Sequence, residues 1–293
     1  HEMKYDTFDH SVLQHLPASL TDFDFIVSAT HPDIISFYSP QAIRIRIGGG
    51  RFSHKLNIFP FPTKLQHLEL HHINDDICAM LPPGLQVLII GGGLITTKGA
   101  SKLPTSLTSF IAYFEIFDDN QSMSYLRYIP NIELSCEQEF GQCKVDENWI
   151  SSLLPSPSSP SSSIDESSCA NLNDINPHLT SLSVNMVGAL GPAKIRRFFR
   201  KRFFDALPKF PNLNKLSISG FGGISSDWLS QIPQNVTNLK IGFLDTSPTE
   251  TQLSRLPKCL RFLYLATGIT ARECDWNDED LQSLPRSLQE YKI

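Results

Sequence analysis

The sequence predicts an α/β solenoid, a curved parallel sheet that gains one strand per repeat and carries short helices, 3₁₀ turns and loops on its other side. Three observations predict it. A nine-residue phrase, Pro-x-x-apolar-x-x-apolar-x-apolar, recurs along the 293 residues. Most of its prolines lie 20 to 28 residues apart, the length of one strand and its return. Within each phrase the apolar residues two apart face one way and the residues between them face the other, as side chains of a half-buried strand must.

The elements follow in order. The full phrase begins at Pro17 (Leu20, Phe23, Phe25), Pro62 (Leu65, Leu68, Leu70), Pro82 (Leu85, Leu88, Ile90), Pro104 (Leu107, Phe110, Ala112), Pro233 (Val236, Leu239, Ile241), Pro257 (Leu260, Leu263, Leu265) and Pro285 (Leu288, Tyr291, Ile293). Forms one residue shorter begin at Pro177 (Leu179, Leu182, Val184) and Pro211 (Leu213, Leu216, Ile218). Looser forms begin at Pro40 (Ile43, Ile45, Ile47) and Pro130 (Ile132, Leu134), which brings the predicted strands to eleven. Between strands, Asn74-Asp75-Asp76-Ile77, Ser226-Asp227-Trp228-Leu229 and Asn277-Asp278-Glu279-Asp280-Leu281 place a capping side chain ahead of an apolar residue, the signature of a helix start. The next proline stops that turn and holds the residue before it extended.

The strand core L-x-x-L-x-L and the recurring LPASL, LPPGL, LPTSL, LPKCL and LPRSL resemble leucine-rich repeat proteins, in particular the protist type, over most of the chain. The resemblance implies a curved solenoid with the parallel sheet on its concave side. At about 4.8 Å per strand the sheet runs roughly 50 Å. One departure stands out: residues such as Ile73 occupy the place of the family's asparagine just after the strand.

A fixed period makes residues 1–293 a single solenoid domain, interrupted twice. Residues 137–170 read as a flexible Ser/Pro-rich insertion, with LLPSPSSPSSSIDESS (Leu153 to Ser168) too poor in apolar residues to fold. Residues 189–210 read as a basic amphipathic insertion, a helix with Ile195, Phe199, Phe203 and Leu207 along one side. Its Lys194, Arg196, Arg197, Arg200, Lys201 and Arg202 put six positive charges into nine residues, so the rest of the chain carries −11 against a total of −5. That balance excludes a nucleic-acid binder, which spreads positive charge over a face. Burial of the phenylalanines against the solenoid is the expected use of this helix; docking on an acidic partner or an anionic membrane is the alternative. No apolar run reaches the roughly 20 residues that cross a bilayer.

Six cysteines show no CxxC pair, and Cys259 falls where a small buried hydrophobe is expected. The first residues, HEMKYDTFDH, are polar and do not read as a secretory signal, which leans the chain toward the cytoplasm. The sequons at Asn120 and Asn235 are what a Ser/Thr-rich chain produces by accident. Gly48-Gly49-Gly50 and Gly91-Gly92-Gly93, with Gly220 and Gly242, follow strands and lack the Lys-Ser/Thr of a phosphate loop, so they read as turns. His67, Glu69 and His71 share one strand face as metal ligands could, but Arg44 and Arg46 beside them disfavour a cation and offer Glu69 a partner. No phrase fixes a nucleophile beside its base. Neither an enzyme, a metal nor a cofactor is expected.

Rigid inner faces of solenoids present side chains that vary from unit to unit without disturbing the core. The outward positions are Asp22, Asp24, Arg44, Arg46, His67, Glu69 and His71, then Val87, Ile89, Ile111 and Tyr113, then Ser181, Ser183, Lys215, Ser217, Asn238, Lys240, Phe262 and Tyr264. An aliphatic and aromatic strip with a polar rim has the composition of a protein-binding hot spot. The expectation is an interaction scaffold for a protein partner, anchored by Ile89, Ile111, Tyr113, Phe262 and Tyr264, with Arg44, Arg46 and Glu69 supplying charge selectivity. The open strand at Ile293 admits an alternative, the substrate-reading part of a ubiquitin-ligase receptor or effector.

Overall fold

A computed structural model describes residues 19, 21–26, 41–48, 61–136, 149–154, 176–186, 201–220, 225–244, 248–267 and 281–292. The chain divides into two compact units, His1–Thr108 and Ser109–Ile293. In the first, β1 (Asp22–Ile26), β2 (Arg44–Gly48), β3 (His67–Leu70) and β4 (Val87–Ile90) each pair in parallel with the next. The second repeats the arrangement with β5 (Ser109–Tyr113), β6 (Asn131–Cys136), β7 (Ser181–Met186), β8 (Lys215–Gly220), β9 (Asn238–Leu244), β10 (Phe262–Thr267) and β11 (Glu290–Lys292).

The proline phrase has a hydrogen-bonding cause. In six repeats the proline carbonyl accepts from the amide three positions on, closing a turn at 3.0 to 3.2 Å: Leu65 to Pro62, Leu85 to Pro82, Leu107 to Pro104, Val236 to Pro233, Leu260 to Pro257 and Leu288 to Pro285. The residue before proline is extended, as at Leu81 (φ −60°, ψ 134°) and Ile232 (φ −67°, ψ 129°), so the preceding helix ends there. In the shorter form at Pro211 the same turn closes from Leu213 to the carbonyl of Phe210 at 3.1 Å. Proline has moved to the second turn position, and the strand keeps its register. The described residues after Pro40 correct the sequence expectation at the first apolar position. Ala42 and Ile45 are the buried pair, both at 0% exposure, while Ile43 stands 39% exposed.

Core rows run across the strands of each unit. Ile45, Leu68 and Leu88 are in register and fully buried in the first, as are Phe110, Ile132, Leu182, Leu216, Leu239 and Leu263 in the second. Each such side chain contributes about 2 kcal/mol. Tyr291, expected in this core, pairs in register with Leu263 but is 52% exposed, because no described strand packs beyond β11.

No asparagine ladder runs through the described repeats. Ile73 sits fully buried in the asparagine position and bridges to Gly93. Gly93 adopts φ +116°, and a Cβ there would lie 2.6 Å from the Ile73 amide nitrogen, so only glycine fits. Donors reach across repeats from another place, the residue just before the first apolar position. Ser106 Oγ donates to the Leu85 carbonyl at 2.6 Å, Asn235 Nδ2 to Leu213 at 2.6 Å, Cys259 Sγ to Gln234 at 3.0 Å with Val236 at 3.4 Å, and Ser287 Oγ lies 2.7 Å from both the Leu260 and Lys258 carbonyls. Cys259 is therefore exposed and bonded to backbone, a correction to the buried hydrophobe expected of it. The Asn235 sequon amide is spent in the same ladder.

Behind the first sheet lie α1 (Asp75–Met80), capped by Asn74 Oδ1 accepting from the Ile77 amide, and α2 (Thr97–Ala100). Asp75 ties the two repeats by accepting from the amide and hydroxyl of Thr96 at 2.9 and 2.6 Å. Behind the second lie α3 (Asn120–Met123), α4 (Trp149–Ser152), α5 (Lys201–Ala206) and α6 (Glu250–Leu253), with a 3₁₀ helix at Ser226–Gln231.

Both expected insertions shrink against this side. Trp149, Ile150 and Leu153 are fully buried, so α4 belongs to the solenoid although it falls inside residues 137–170. Phe203 and Phe204 of α5 are buried too, and a row of rings links Trp149 to Phe203 (5.8 Å), Phe203 to Phe204 (5.0 Å) and Phe204 to Trp228 (4.4 Å). Asn176 closes the junction between these repeats. It is 2% exposed, its Nδ2 donates to the carbonyls of Arg127 (2.8 Å) and Leu153 (2.7 Å), and its Oδ1 accepts from the His178 amide (2.9 Å).

Candidate functional site: the outer faces of the strands

Period-2 alternation gives each set of strands a second face that no described helix covers, and the pairing register arranges its side chains in rows. In the first unit Asp22, Arg44, His67 and Val87 form one row, and Arg46, Glu69 and Ile89 the next, with the Asp24 backbone in register beside Arg46. Charge is matched within the rows. Arg46 Nε donates to Glu69 Oε1 at 2.9 Å, and Arg44 Nε lies 3.7 Å from Asp22 Oδ1. Partial burial, and then the Arg44 charge, hold the His67 imidazole below its ordinary 6.5, against the smaller opposing pull of Glu69 and Asp22. His71 stands exposed beyond the end of β3. With Glu69 taken by Arg46 and His71 outside the strand, no three-ligand group forms among the described residues.

In the second unit Ile111 and Tyr113 are half-buried on β5. Glu133, missed as an outward residue, stands directly opposite Ile111 and is exposed. The apolar strip therefore stops at β6. The alternation that put Ile132 and Leu134 inside already placed Glu133 outside; the signal was present in the looser phrase after Pro130. Across β7 and β8 the outward residues are Ser181, Ser183, Lys215 and Ser217, continuing to Asn238 and Lys240 on β9 and to Phe262 and Tyr264 on β10. Lys240 Nζ lies 5.5 Å from the centre of the Tyr264 ring, a cation–π distance. On β11, Lys292 and Glu290 pair at 3.6 Å.

Of the basic segment, Lys194, Arg196, Arg197 and Arg200 lie outside the described residues, while Lys201 and Arg202 open α5. Ser122, the hydroxyl residue of the first sequon, is fully buried and donates to the Asp119 carbonyl. Among the described residues no helix is long and apolar enough to cross a membrane.

Neither a family model nor a curated protein matches the sequence. Among solved structures the chain is similar to CroV588, described as a circular LRR protein, at 15% identity and a TM-score of 0.36 over 94% of this chain. The chain spans 40% of that protein's length. Parallel strands added one per repeat, L-x-x-L-x-L side chains pointing into the core and short helical returns behind them give this protein, in each of its two units, the α/β solenoid fold of leucine-rich repeats.

Proposed function

We propose that the chain is a non-enzymatic scaffold that holds a protein partner on the outer face of its strands. One observation carries this. The core positions repeat apolar residues, whereas the outward positions from β5 to β10 change from aliphatic to carboxylate to hydroxyl to ammonium to aromatic within one parallel sheet. A surface freed from packing duties and composed this way suits recognition of a shaped, chemically mixed partner. Aromatic anchors support the reading: Phe262 and Tyr264 sit half-buried beside Lys240, and such residues dominate binding energies at interfaces. Ile111 and Tyr113 are the aliphatic and aromatic anchors on β5, and Ile89 is their counterpart in the first unit. Arg44, Arg46 and Glu69 add selectivity more than affinity, since breaking their internal pairs offsets what new ones contribute.

Photo-crosslinkers placed at Ser217 and at Ser254, on the helical side, test the face. Partner proteins should crosslink from Ser217 and not from Ser254, and Ile111→Asp should lower capture while the chain stays folded. Crosslinks from Ser254 alone would overturn the assignment.

A further inference from the structure

We propose that the second unit's strand face receives a phosphorylated side chain of a protein partner in a serine-floored depression on β7 to β10, an inference that rests on this face being the binding surface. The depression measures about 210 Å³. Its floor is low because three neighbouring outward positions, Ser181, Ser183 and Ser217, carry small side chains; Lys215 and Lys240 rise at its sides, and Phe262 forms one edge.

Its chemistry is one-sided. No carboxylate lines it. Lys215 makes no ion pair among the described residues, and Lys240 is described only against the Tyr264 ring, which leaves its N–H groups available. Asn238, whose Oδ1 lies 3.1 Å from Thr237 Oγ1, also lines the depression. The first unit's arginines, by contrast, already face Asp22 and Glu69. Two ammonium groups with no carboxylate beside them, above hydroxyls that donate as well as accept, favour an anion with several oxygens. A phosphate monoester brings three acceptor oxygens and nearly two charges, matching two ammonium groups and a hydroxyl floor, whereas a carboxylate leaves one cation uncompensated.

Size and surroundings select the source. Small-molecule pockets run from about 300 Å³ upward and enclose their ligands. This one takes a single side chain presented by a larger molecule. A nucleic-acid backbone would meet Glu133 on one side and Glu290 on the other, in a chain of net charge −5.

The full chain is applied to immobilised pools of random nonapeptides centred on phosphoserine, serine or glutamate. Retention should be at least tenfold higher on phosphoserine than on serine, about 1.4 kcal/mol, with phenyl phosphate competing and added salt weakening it. Lys215→Ala/Lys240→Ala should remove the preference at an unchanged melting temperature, and Ser217→Leu, which fills the floor, should do the same. Absence of retention on any pool, or a preference surviving in the double-lysine variant, overturns the proposal. Equal retention on the serine and phosphoserine pools that Tyr264→Ala abolishes overturns phosphate recognition while leaving the strand face as the binding surface.

Discussion

Asn176 offers the sharpest test of how neighbouring repeats are joined. Its side chain makes three hydrogen bonds inside the protein, two as donor to the carbonyls of Arg127 and Leu153 and one as acceptor from the His178 amide. At a net contribution near 1 kcal/mol each, Asn176→Ala should cost about 3 kcal/mol, because the stranded groups are buried away from water. An unfolding entropy of about 2.1 cal/mol/K per residue, applied to the whole chain, converts that loss to roughly 5 °C in melting temperature. Asn176→Asp separates the donor role from simple shape. The carboxylate keeps the acceptor but turns an oxygen toward two carbonyl oxygens, so it should be worse than alanine at pH 7. Burial and those oxygens disfavour the charge and raise the folded-state pKa of the introduced carboxyl. Its folded state is therefore favoured below the unfolded value, and stability falls as pH rises through the folded one. The aspartate variant should recover part of its loss at pH 4, relative to wild type at the same pH. Thermal melts by circular dichroism at both pH values, with amide exchange on β6 and β7, measure this. Either variant melting within 1 °C of wild type at pH 7 would refute the account.

Three other outcomes are expected. Gly93→Ala should lower stability by at least about 2 kcal/mol in urea titration, since it combines a positive φ with overlap against Ile73; a neutral result would show that the bridge from Ile73 to Gly93 is dispensable. His67 should titrate below 6.5 by NMR. Because its folded value lies beneath the unfolded one, the stability tied to neutral His67 is complete above pH 6.5 and lost as pH falls through the folded value, so His67→Gln should flatten the urea midpoint between pH 7 and 5. Burial, and then Asp75, push the Cys78 thiol up to about 12, so iodoacetamide at pH 8 should modify exposed Cys259 in the native chain and reach Cys78 only on unfolding, as peptide mass spectrometry would record.

The repeat was legible because it is written in chemistry that local rules read well. Proline restricts the residue before it, the amide three positions later closes a turn on its carbonyl, and alternation does the rest. What escaped was the junction between repeats. Ser106, Asn235, Cys259 and Ser287 perform one task, donation to the preceding repeat's carbonyl, with three chemically different side chains. A search for one residue type at the asparagine position finds Ile73 and stops. Equivalence by hydrogen-bond role is visible only once successive turns are stacked. The same holds for Trp149, a lone tryptophan beside a Ser/Pro tract, whose burial depends on Phe203, 54 positions later.

The outward face shows the complementary limit. Alternation identifies which residues point away from the core, so the positions of Lys215, Lys240, Phe262 and Tyr264 follow from the sequence. Their partners do not, because cross-strand neighbours come from repeats separated by 22 to 34 residues and by insertions of no fixed length. The first unit's arginines and the second unit's lysines look alike as charges along the chain. Only the rows reveal that Arg46 faces Glu69 whereas Lys215 faces Ser181 and Asn238. A cation opposite a carboxylate is already satisfied and contributes mainly selectivity. Beside uncharged hydroxyl and amide groups it keeps its demand for an anion, and that difference favours the proposed site on β7 to β10 over the arginine-rich strands nearer the N-terminus.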